Sequence, residues 1–139
     1  MKKIEGGYYC GYITYEATVN PDLVVICHCT DCQTLSGTTF RIGVFAPQGN
    51  FKLLTGAPKF YLKTTASGTK RKLAFCPECG TSIYSSDTSD APVFWIRVGT
   101  CRQRAELIPK FQIWCRSAQS WVQNLGALRQ YQEQPPLPR

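Results

Sequence analysis

The chain has 139 residues, a formal net charge of +7, a hydrophobic fraction of 43% and a charged fraction of 18%. These fractions are typical of a folded globular protein and exclude an intrinsically disordered chain. No apolar run approaches the roughly 18 consecutive residues that span a bilayer, so no transmembrane helix is predicted.

Short β-strands are the main element that the sequence predicts. Runs with alternating or β-rich composition recur along the chain and are separated by Gly, Pro, Asn and Asp. Eight runs have this composition: residues 12–19, 23–29, 38–45, 51–54, 60–65, 71–76, 93–98 and 111–115. Their number and spacing favour an all-β sandwich or barrel-like fold of antiparallel strands.

The C-terminal part departs from this pattern. Trp121, Leu125 and Leu128 fall at helical spacing, which predicts a short helix interrupted by Gly126. The segment 130–139 ends in QPPLPR and is predicted to be an extended tail. No linker or repeat divides the sequence, so residues 1–139 are expected to form one domain.

The N-terminal sequence MKKIEGGYYCGYITYE bears on the compartment. It lacks the apolar region of about 7–15 residues that a secretory signal peptide carries. Export is therefore not expected, and the reducing cytoplasm is the predicted location. In such a compartment, the clustering of the eight cysteines favours metal ligation. Redox-active thiols and a disulfide framework are the alternatives.

The segment CPECG at residues 76–80 has the form of a zinc knuckle. Two thiolates three residues apart converge on one ion, and the glycine that follows lets the chain turn back. Other cysteines must complete a tetrahedral site. The candidates are Cys10 with a neighbour, or two members of the CHCTDC segment at residues 27–32.

The CHCTDC segment is itself a candidate metal site. Alternation along an extended strand places Cys27 and Cys29 on one face and turns His28 to the other. A turn after the strand then brings Cys32 round to the same ion. One segment of six residues can thereby supply three thiolates.

Several motifs together resemble a known family. In chain order the sequence reads GGYYCGYITYEA, CHCTDCQTLSG, FCPECGTSIY, VGT and IPKFQIWCRSAQSWVQNL. Their order and spacing resemble the glutathione-dependent formaldehyde-activating (Gfa) family, to which the centromere protein V domain also belongs, over roughly residues 5 to 135. The resemblance implies a zinc-bearing β-tent fold with two metal sites. The implied ligands are Cys10, Cys76 and Cys79 in a structural site, and Cys27, Cys29 and Cys32 in a second site.

One position departs from the family pattern. The structural site of the family has four cysteines, and Tyr8 stands where the first belongs. Three alternatives remain for the fourth ligand position: Tyr8 binds the zinc, water or another donor binds it, or the site holds no zinc at all. A phenol with a pKa of about 10 must lose its proton before it can bind a metal. Cys101 or Cys115 could in principle supply the missing ligand, but both match no family cysteine and are expected to be buried free thiols.

The resemblance also implies an activity. Family members add formaldehyde to glutathione to give S-hydroxymethylglutathione, or cleave the same carbon–sulfur bond. A zinc ion on three cysteines keeps an open position that can bind a thiolate or polarise a carbonyl oxygen. Cys27, Cys29 and Cys32 are accordingly the predicted catalytic residues of a carbon–sulfur lyase, with a small thiol such as glutathione as partner.

Two alternatives remain open at this level. The site of Cys27, Cys29 and Cys32 can also be a structural zinc site with a buried fourth donor. The whole protein can also be a non-catalytic zinc scaffold that binds a protein or a nucleic acid, and the cysteine missing at Tyr8 keeps that alternative open.

The net positive charge raises the question of whether the chain binds nucleic acid. Lys70, Arg71 and Lys72 form the one basic cluster, which is shorter than the roughly 5–8 residues of a nucleic-acid patch. Nucleic acid is therefore not the expected partner, and the cluster is interpreted as a solvated strand edge. The same side chains could instead hold a carboxylate of glutathione, although no pattern places them beside the zinc.

The remaining candidates have modest expected roles. His28 is interpreted as a packing residue or a support for a ligand, and Asp31 as part of a turn. The Ser36-Gly37 pair is interpreted as a plain loop, with pocket lining as the alternative. Three tryptophans are expected in the core: Trp95, Trp114 and Trp121.

Overall fold

Nine β-strands and one α-helix form the framework of the computed structural model, which describes residues 1–138. The strands are β1 (Lys2–Gly7), β2 (Thr14–Cys27), β3 (Arg41–Ala46), β4 (Phe51–Thr55), β5 (Lys59–Thr64), β6 (Lys70–Phe75), β7 (Ser82–Ser86), β8 (Phe94–Arg97) and β9 (Phe111–Ile113). The helix is α1 (Thr30–Ser36), and short 3-10 helices cover Val98–Thr100, Arg104–Glu106, Cys115–Ser117 and Ser120–Ala127. The prediction of a mainly β fold is confirmed.

Strand β2 is longer than the sequence predicted. The runs 12–19 and 23–29 were expected to be separate strands, but the chain continues through Asn20-Pro21-Asp22 as a single strand. The register with β3 shifts between Asn20 and Val24, and the Asp22 N–H donates to the Asn20 side chain at 3.0 Å. Pro21 has no N–H to donate to a ladder, so the residues typical of a turn form a β-irregularity inside the strand.

The strands form a sheet in the order β1-β2-β3-β8-β7-β6-β5, and β4 and β9 also pair with β2. Pairing is antiparallel except between β2 and β9. The first half of β2 pairs with β1 and β4, and the second half pairs with β3 and β9. One strand therefore connects the N-terminal part of the sheet to the part that carries the CHCTDC segment.

Alternation divides the second part of the sheet into two faces. One register row crosses five strands, and every residue in it is buried in the hydrophobic core: Val24, Val44, Ile96, Tyr84 and Ala74. Because neighbouring residues of a strand point to opposite faces, the residues on either side of this row point away from the core. That second face lines the pocket described below.

Two further expectations differ from the structure. The cluster Lys70-Arg71-Lys72 lies in β6, where all three residues pair with β5 but only Lys72 also pairs with β7, so the interpretation as a strand edge holds for Lys70 and Arg71 and is wrong for Lys72. The predicted C-terminal helix is a 3-10 segment, Ser120–Ala127, with a break at Asn124. Residues 129–138 form neither helix nor strand, and the last residue of the predicted tail, residue 139, lies outside the described part.

Within residues 1–138, none of the helices has the length and apolar character needed to cross a membrane.

Candidate metal centre and adjoining pocket

Three sulfur atoms meet where β2 ends and α1 begins. The Sγ atoms of Cys27, Cys29 and Cys32 all lie within 4.8 Å of one another. Cys29 is the N-cap of α1, and its sulfur accepts a hydrogen bond from the Cys32 N–H at 3.1 Å. The chain after the strand is therefore a helical first turn rather than the free turn expected from the sequence, and this turn brings Cys32 to within 3.3 Å of the Cys27 sulfur.

The environment of this triad favours a thiolate at Cys32. Hydrogen bonding with Cys27, then with Cys29, and the positive charge of Arg41 lower the pKa of Cys32 to about 5. The Arg41 Nη2 atom donates to the Cys32 sulfur at 3.1 Å. The same proximity to Cys32, together with burial, raises the pKa of Cys27. Since a metal binds the thiolate form of cysteine, Arg41 helps to prepare the triad for a cation.

A second triad forms on the other part of the chain. The Sγ atoms of Cys10, Cys76 and Cys79 also lie within 4.8 Å of one another, and those of Cys10 and Cys76 are 3.6 Å apart. The knuckle closes as the sequence predicted. The Gly80 N–H donates to the Cys76 carbonyl at 2.9 Å, and Gly80 has a φ of 76°, a conformation that glycine adopts without strain.

A pocket of about 490 Å³ adjoins the first triad, and Cys27 and Cys32 form part of its wall. Its base is the second face of the sheet, where register places Leu73, Ser85 and Trp95 side by side. The lining comprises Val25, Cys27, Cys32, Arg41, Gly43, Lys63, Thr65, Arg71, Leu73, Ser85, Trp95, Arg97, Phe111, Ile113 and Trp114. The size is typical of a site for a small molecule. A second cleft, of about 440 Å³, is lined by neither cysteine nor histidine.

The sequence profile of the glutathione-dependent formaldehyde-activating enzyme family matches residues 3–117. The chain belongs to this family. A crystal structure of a Rhodobacter sphaeroides protein is similar, with a TM-score of 0.60 and 19% identity over 78% of this chain and 98% of that chain. At this identity the likeness shows the fold alone. No curated protein matches the chain significantly. In this Gfa chain, each of the two cysteine triads could hold a metal ion.

Tyr8, which replaces a Gfa cysteine, is a core residue in this structure. Its side chain is 5% exposed, and its hydroxyl is buried with no hydrogen-bond partner among residues 1–138. Burial, and then the neighbouring Tyr84, raise the pKa of Tyr8. A phenol must lose its proton to bind a metal, and burial favours the protonated form of Tyr8 in the metal-free chain, so an ion bound by Tyr8 would have to displace that proton.

The two remaining cysteines have different environments. Cys101 is fully buried, with its sulfur 3.3 Å from the Tyr15 hydroxyl, as expected for a free core thiol. Cys115 is exposed, so its predicted burial is wrong. Neither joins a group of three metal-ligating side chains within the described chain.

His28 and Asp31 flank the first triad without joining it. His28 is 1% exposed, and its Nε2 atom lies 2.7 Å from the Gln112 Oε1 atom. Asp31 forms an ion pair with Lys63 at 2.7 Å, which ties α1 to β5. The role of Asp31 is therefore wider than the turn that the sequence predicted.

The Ser36-Gly37 pair closes α1. The Ser36 hydroxyl donates to the Cys32 carbonyl at 2.6 Å, and Gly37 is the C-cap with a φ of 68°. Neither residue lines the pocket, in agreement with the interpretation as a plain structural segment.

Several pocket residues had no clear signal in the sequence. Trp95 and Trp114 line the pocket rather than the core, and Trp121 is 50% exposed, so the expectation of three core tryptophans is wrong. Arg41 and Arg97 were not singled out, although alternation along β3 and β8 places each on the face opposite a buried residue. The alternation shows that Arg41 and Arg97 face away from the core, but only the register of the sheet shows that this face forms a pocket.

Proposed function

We propose that this chain is a zinc-dependent carbon–sulfur lyase of the Gfa type, which forms or cleaves a small thiol adduct such as S-hydroxymethylglutathione. The observation that carries the proposal is the location of Cys27 and Cys32 in the wall of a pocket large enough for a small thiol. A purely structural metal site needs no such cavity. Membership of the Gfa family supports glutathione as the thiol.

The donor set of the first triad fits zinc. Three cysteine sulfurs lie within 4.8 Å of one another, and thiolate sulfur is a ligand that zinc favours. Three protein ligands are also the number typical of catalytic zinc sites. When bound, zinc would lower the pKa of an incoming thiol and polarise the oxygen of an aldehyde.

The residues of the chain bind and orient the reactants. The Arg41 guanidinium stabilises the Cys32 thiolate through the hydrogen bond between them. Trp95 and Trp114 provide apolar walls that limit water around the substrate. Because the addition of a thiol to formaldehyde is itself facile, holding the two reactants together supplies much of the catalysis that is needed.

The reaction balances without a further reactant. A bond forms between the thiol sulfur and the formaldehyde carbon, the sulfur loses its proton, and the aldehyde oxygen gains one. The reverse direction breaks the same bond and returns the proton to sulfur. Among the described residues that line the pocket, none is a histidine or a carboxylic acid. We therefore infer that the proton is exchanged with water.

We assign a structural role to the triad of Cys10, Cys76 and Cys79. It joins the segment before β2 to the turn between β6 and β7, and two of its members, Cys10 and Cys76, are 66 residues apart along the chain. With three cysteines present, a donor other than Tyr8 would complete the four-ligand set that structural zinc prefers.

Calorimetric titration of glutathione into zinc-loaded, reduced protein tests the proposal. We expect saturable binding that is strongly weakened in Cys32→Ser. Cys115→Ser removes an exposed thiol outside both triads and is the matched control, which should bind as the wild type does. Exchange NMR with ¹³C-formaldehyde then measures how fast formaldehyde and S-hydroxymethylglutathione interconvert.

The outcome separates the two candidate functions. Binding together with faster exchange supports the lyase. If zinc-loaded protein neither binds glutathione nor accelerates the exchange, the lyase proposal is rejected and the non-catalytic scaffold becomes the better explanation.

A further inference from the structure

The pocket beside the first triad has an excess of positive charge. Four of its lining residues are cationic, namely Arg41, Lys63, Arg71 and Arg97, and none of its described lining residues is Asp or Glu. Asp31 neutralises Lys63 at 2.7 Å, and the sulfur of Cys32 accepts from Arg41 at 3.1 Å. Arg71 and Arg97 have no carboxylate within ion-pairing distance among residues 1–138.

Arg97 is the least satisfied of the four cations. Its Nη1 atom donates to the Trp95 carbonyl at 3.2 Å, but its Nε and Nη2 atoms are buried without a partner in the described chain. Loss of hydration, and then the nearby charge of Arg41, lower the pKa of Arg97 to about 9. A buried guanidinium with free donors is stabilised by an anion that accepts from them.

The walls of the pocket suit an organic anion better than a bare inorganic one. Leu73, Trp95, Phe111 and Trp114 present apolar surface in the same cavity as the cations. Such walls contact the carbon skeleton of a ligand, while a few polar groups fix its orientation. The volume of about 490 Å³ leaves room for a ligand of tripeptide size.

We propose that Arg97 binds a carboxylate of the thiol substrate, with Arg71 as a second cation in the same pocket, so that the site selects carboxylate-bearing thiols over neutral thiols. This inference rests on the proposed function, because it concerns the substrate of the same pocket. Guanidinium groups suit the task because their planar donors match the two oxygens of a carboxylate.

Two derivatives of glutathione separate anion recognition from thiol chemistry. S-methylglutathione keeps both carboxylates but has no free thiol, whereas glutathione diethyl ester keeps the thiol and has no carboxylate. Calorimetry on zinc-loaded wild-type protein should show that S-methylglutathione binds and competes with glutathione. The diester should bind about tenfold more weakly than glutathione, or weaker still.

Variants then locate the anion. Arg97→Gln should weaken the binding of S-methylglutathione by about tenfold or more while zinc content stays the same. Because Arg97 is buried and its variant can fail to fold, Arg97→Lys and Arg71→Gln are measured beside it. The expected order of affinity is wild type, then Arg97→Lys, then Arg97→Gln, with Arg71→Gln also weakened. Lys72→Gln is the matched control, since Lys72 lies in the same strand as Arg71 but contacts the Phe60 ring and does not line the pocket.

The outcomes distinguish this inference from the proposed function. Equal affinity for glutathione and its diester, or no binding of S-methylglutathione, overturns the carboxylate site even if formaldehyde exchange is fast. An unchanged affinity in folded Arg97→Lys and Arg71→Gln also overturns it. Binding of S-methylglutathione that depends on Arg97, in a protein that does not accelerate the exchange, supports the carboxylate site and rejects the lyase.

Discussion

Arg41 Nη2 lies 3.1 Å from the sulfur of Cys32 and donates a hydrogen bond to it. This contact joins the pocket to the first triad, since Arg41 and Cys32 both line the pocket. We therefore assign Arg41 a role toward the cysteine ligands, and the carboxylate proposal assigns Arg97 and Arg71 a role toward the substrate.

Replacing Arg41 should weaken metal binding at the first triad. In Arg41→Gln the Cys32 thiolate loses a charged donor, so protons compete better with zinc, and we expect affinity to fall by about tenfold or more. Competition with a chromogenic chelator measures the zinc affinity. The measurement uses a Cys79→Ser background, which leaves only the first triad intact. Arg71→Gln, which lines the same pocket, is the control and should keep the affinity of the background protein. Equal affinities in Arg41→Gln and the control would show that the contact does not support the metal.

Cys79 should be the reactive thiol of the second triad in metal-free protein. Hydrogen bonds from Thr81 lower the pKa of Cys79 to about 6, and the residue is exposed. Its alkylation by iodoacetamide should be slow below pH 6, where the thiol is protonated, and should rise to a plateau above it. Peptide mass spectrometry after timed labelling measures this. Cys101, which is fully buried and whose pKa is raised by burial, should remain unlabelled.

Two additions sharpen the labelling experiment. Thr81→Val removes the hydroxyl that lies 3.1 Å from the Cys79 sulfur, and the midpoint of labelling should move to higher pH. Saturating zinc should protect Cys79 if the second triad binds the ion. Labelling that is indifferent to zinc would favour the reading in which this site holds no metal.

The hydroxyl of Tyr8 should be dispensable for stability. It is buried without a partner in the described chain, and such a group costs about 1–3 kcal/mol. We therefore expect Tyr8→Phe to raise the free energy of unfolding by about 1 kcal/mol, as measured by urea denaturation of the reduced protein. Metal content should not change. A Tyr8→Phe protein that loses one equivalent of zinc would show instead that the phenol is a ligand.

Trp114 should be under backbone strain. It has a φ of 56° and a ψ of 38°, the left-handed region in which an L-residue other than glycine costs about 1–2 kcal/mol. Because the side chain is 52% exposed, Trp114→Gly should leave the free energy of unfolding unchanged or raise it by up to about 1 kcal/mol, while it weakens glutathione binding.

Trp121 offers a matched control for Trp114. It is 50% exposed and lies inside the 3-10 segment Ser120–Ala127. Trp121→Gly should therefore lower stability by roughly 1 kcal/mol, the usual cost of glycine in a helical segment. Circular dichroism during urea denaturation compares the two variants. A larger loss for Trp114→Gly than for Trp121→Gly would contradict the strain argument.

The parts of the fold set by local pattern could be predicted from the sequence. The spacing of the cysteines within each segment identified both triads, and alternation identified most strands. Strands β1 and β7 were missed because KKIEGG and SIYSS carry few of the residues that favour strands. Helix α1 was missed because it has only seven residues and a cysteine as its N-cap, where serine, threonine or aspartate would have been the usual signal.

The pocket could not be predicted because it depends on register. Its lining comes from seven strands of the sheet, from helix α1 and from the residues just after β5 and β9. A shift of one residue in any of these strands would turn its side chains to the other face. Arg71 illustrates the point. The sequence suggested that it could hold a carboxylate, but only the pairing of β6 with β5 and β7 brings it to the same cavity as Cys27.

The two triads also differ in how far their members lie apart along the chain. Cys27 and Cys32 are five residues apart, whereas Cys10 and Cys76 are 66 residues apart. Because the entropy of loop closure grows with the logarithm of loop length, gathering the second triad from an unfolded chain costs about 2 kcal/mol more. The local triad can therefore capture an ion during synthesis, before the sheet exists. The distant triad forms only when the segment before β2 meets the turn between β6 and β7, so we expect its ion to bind later.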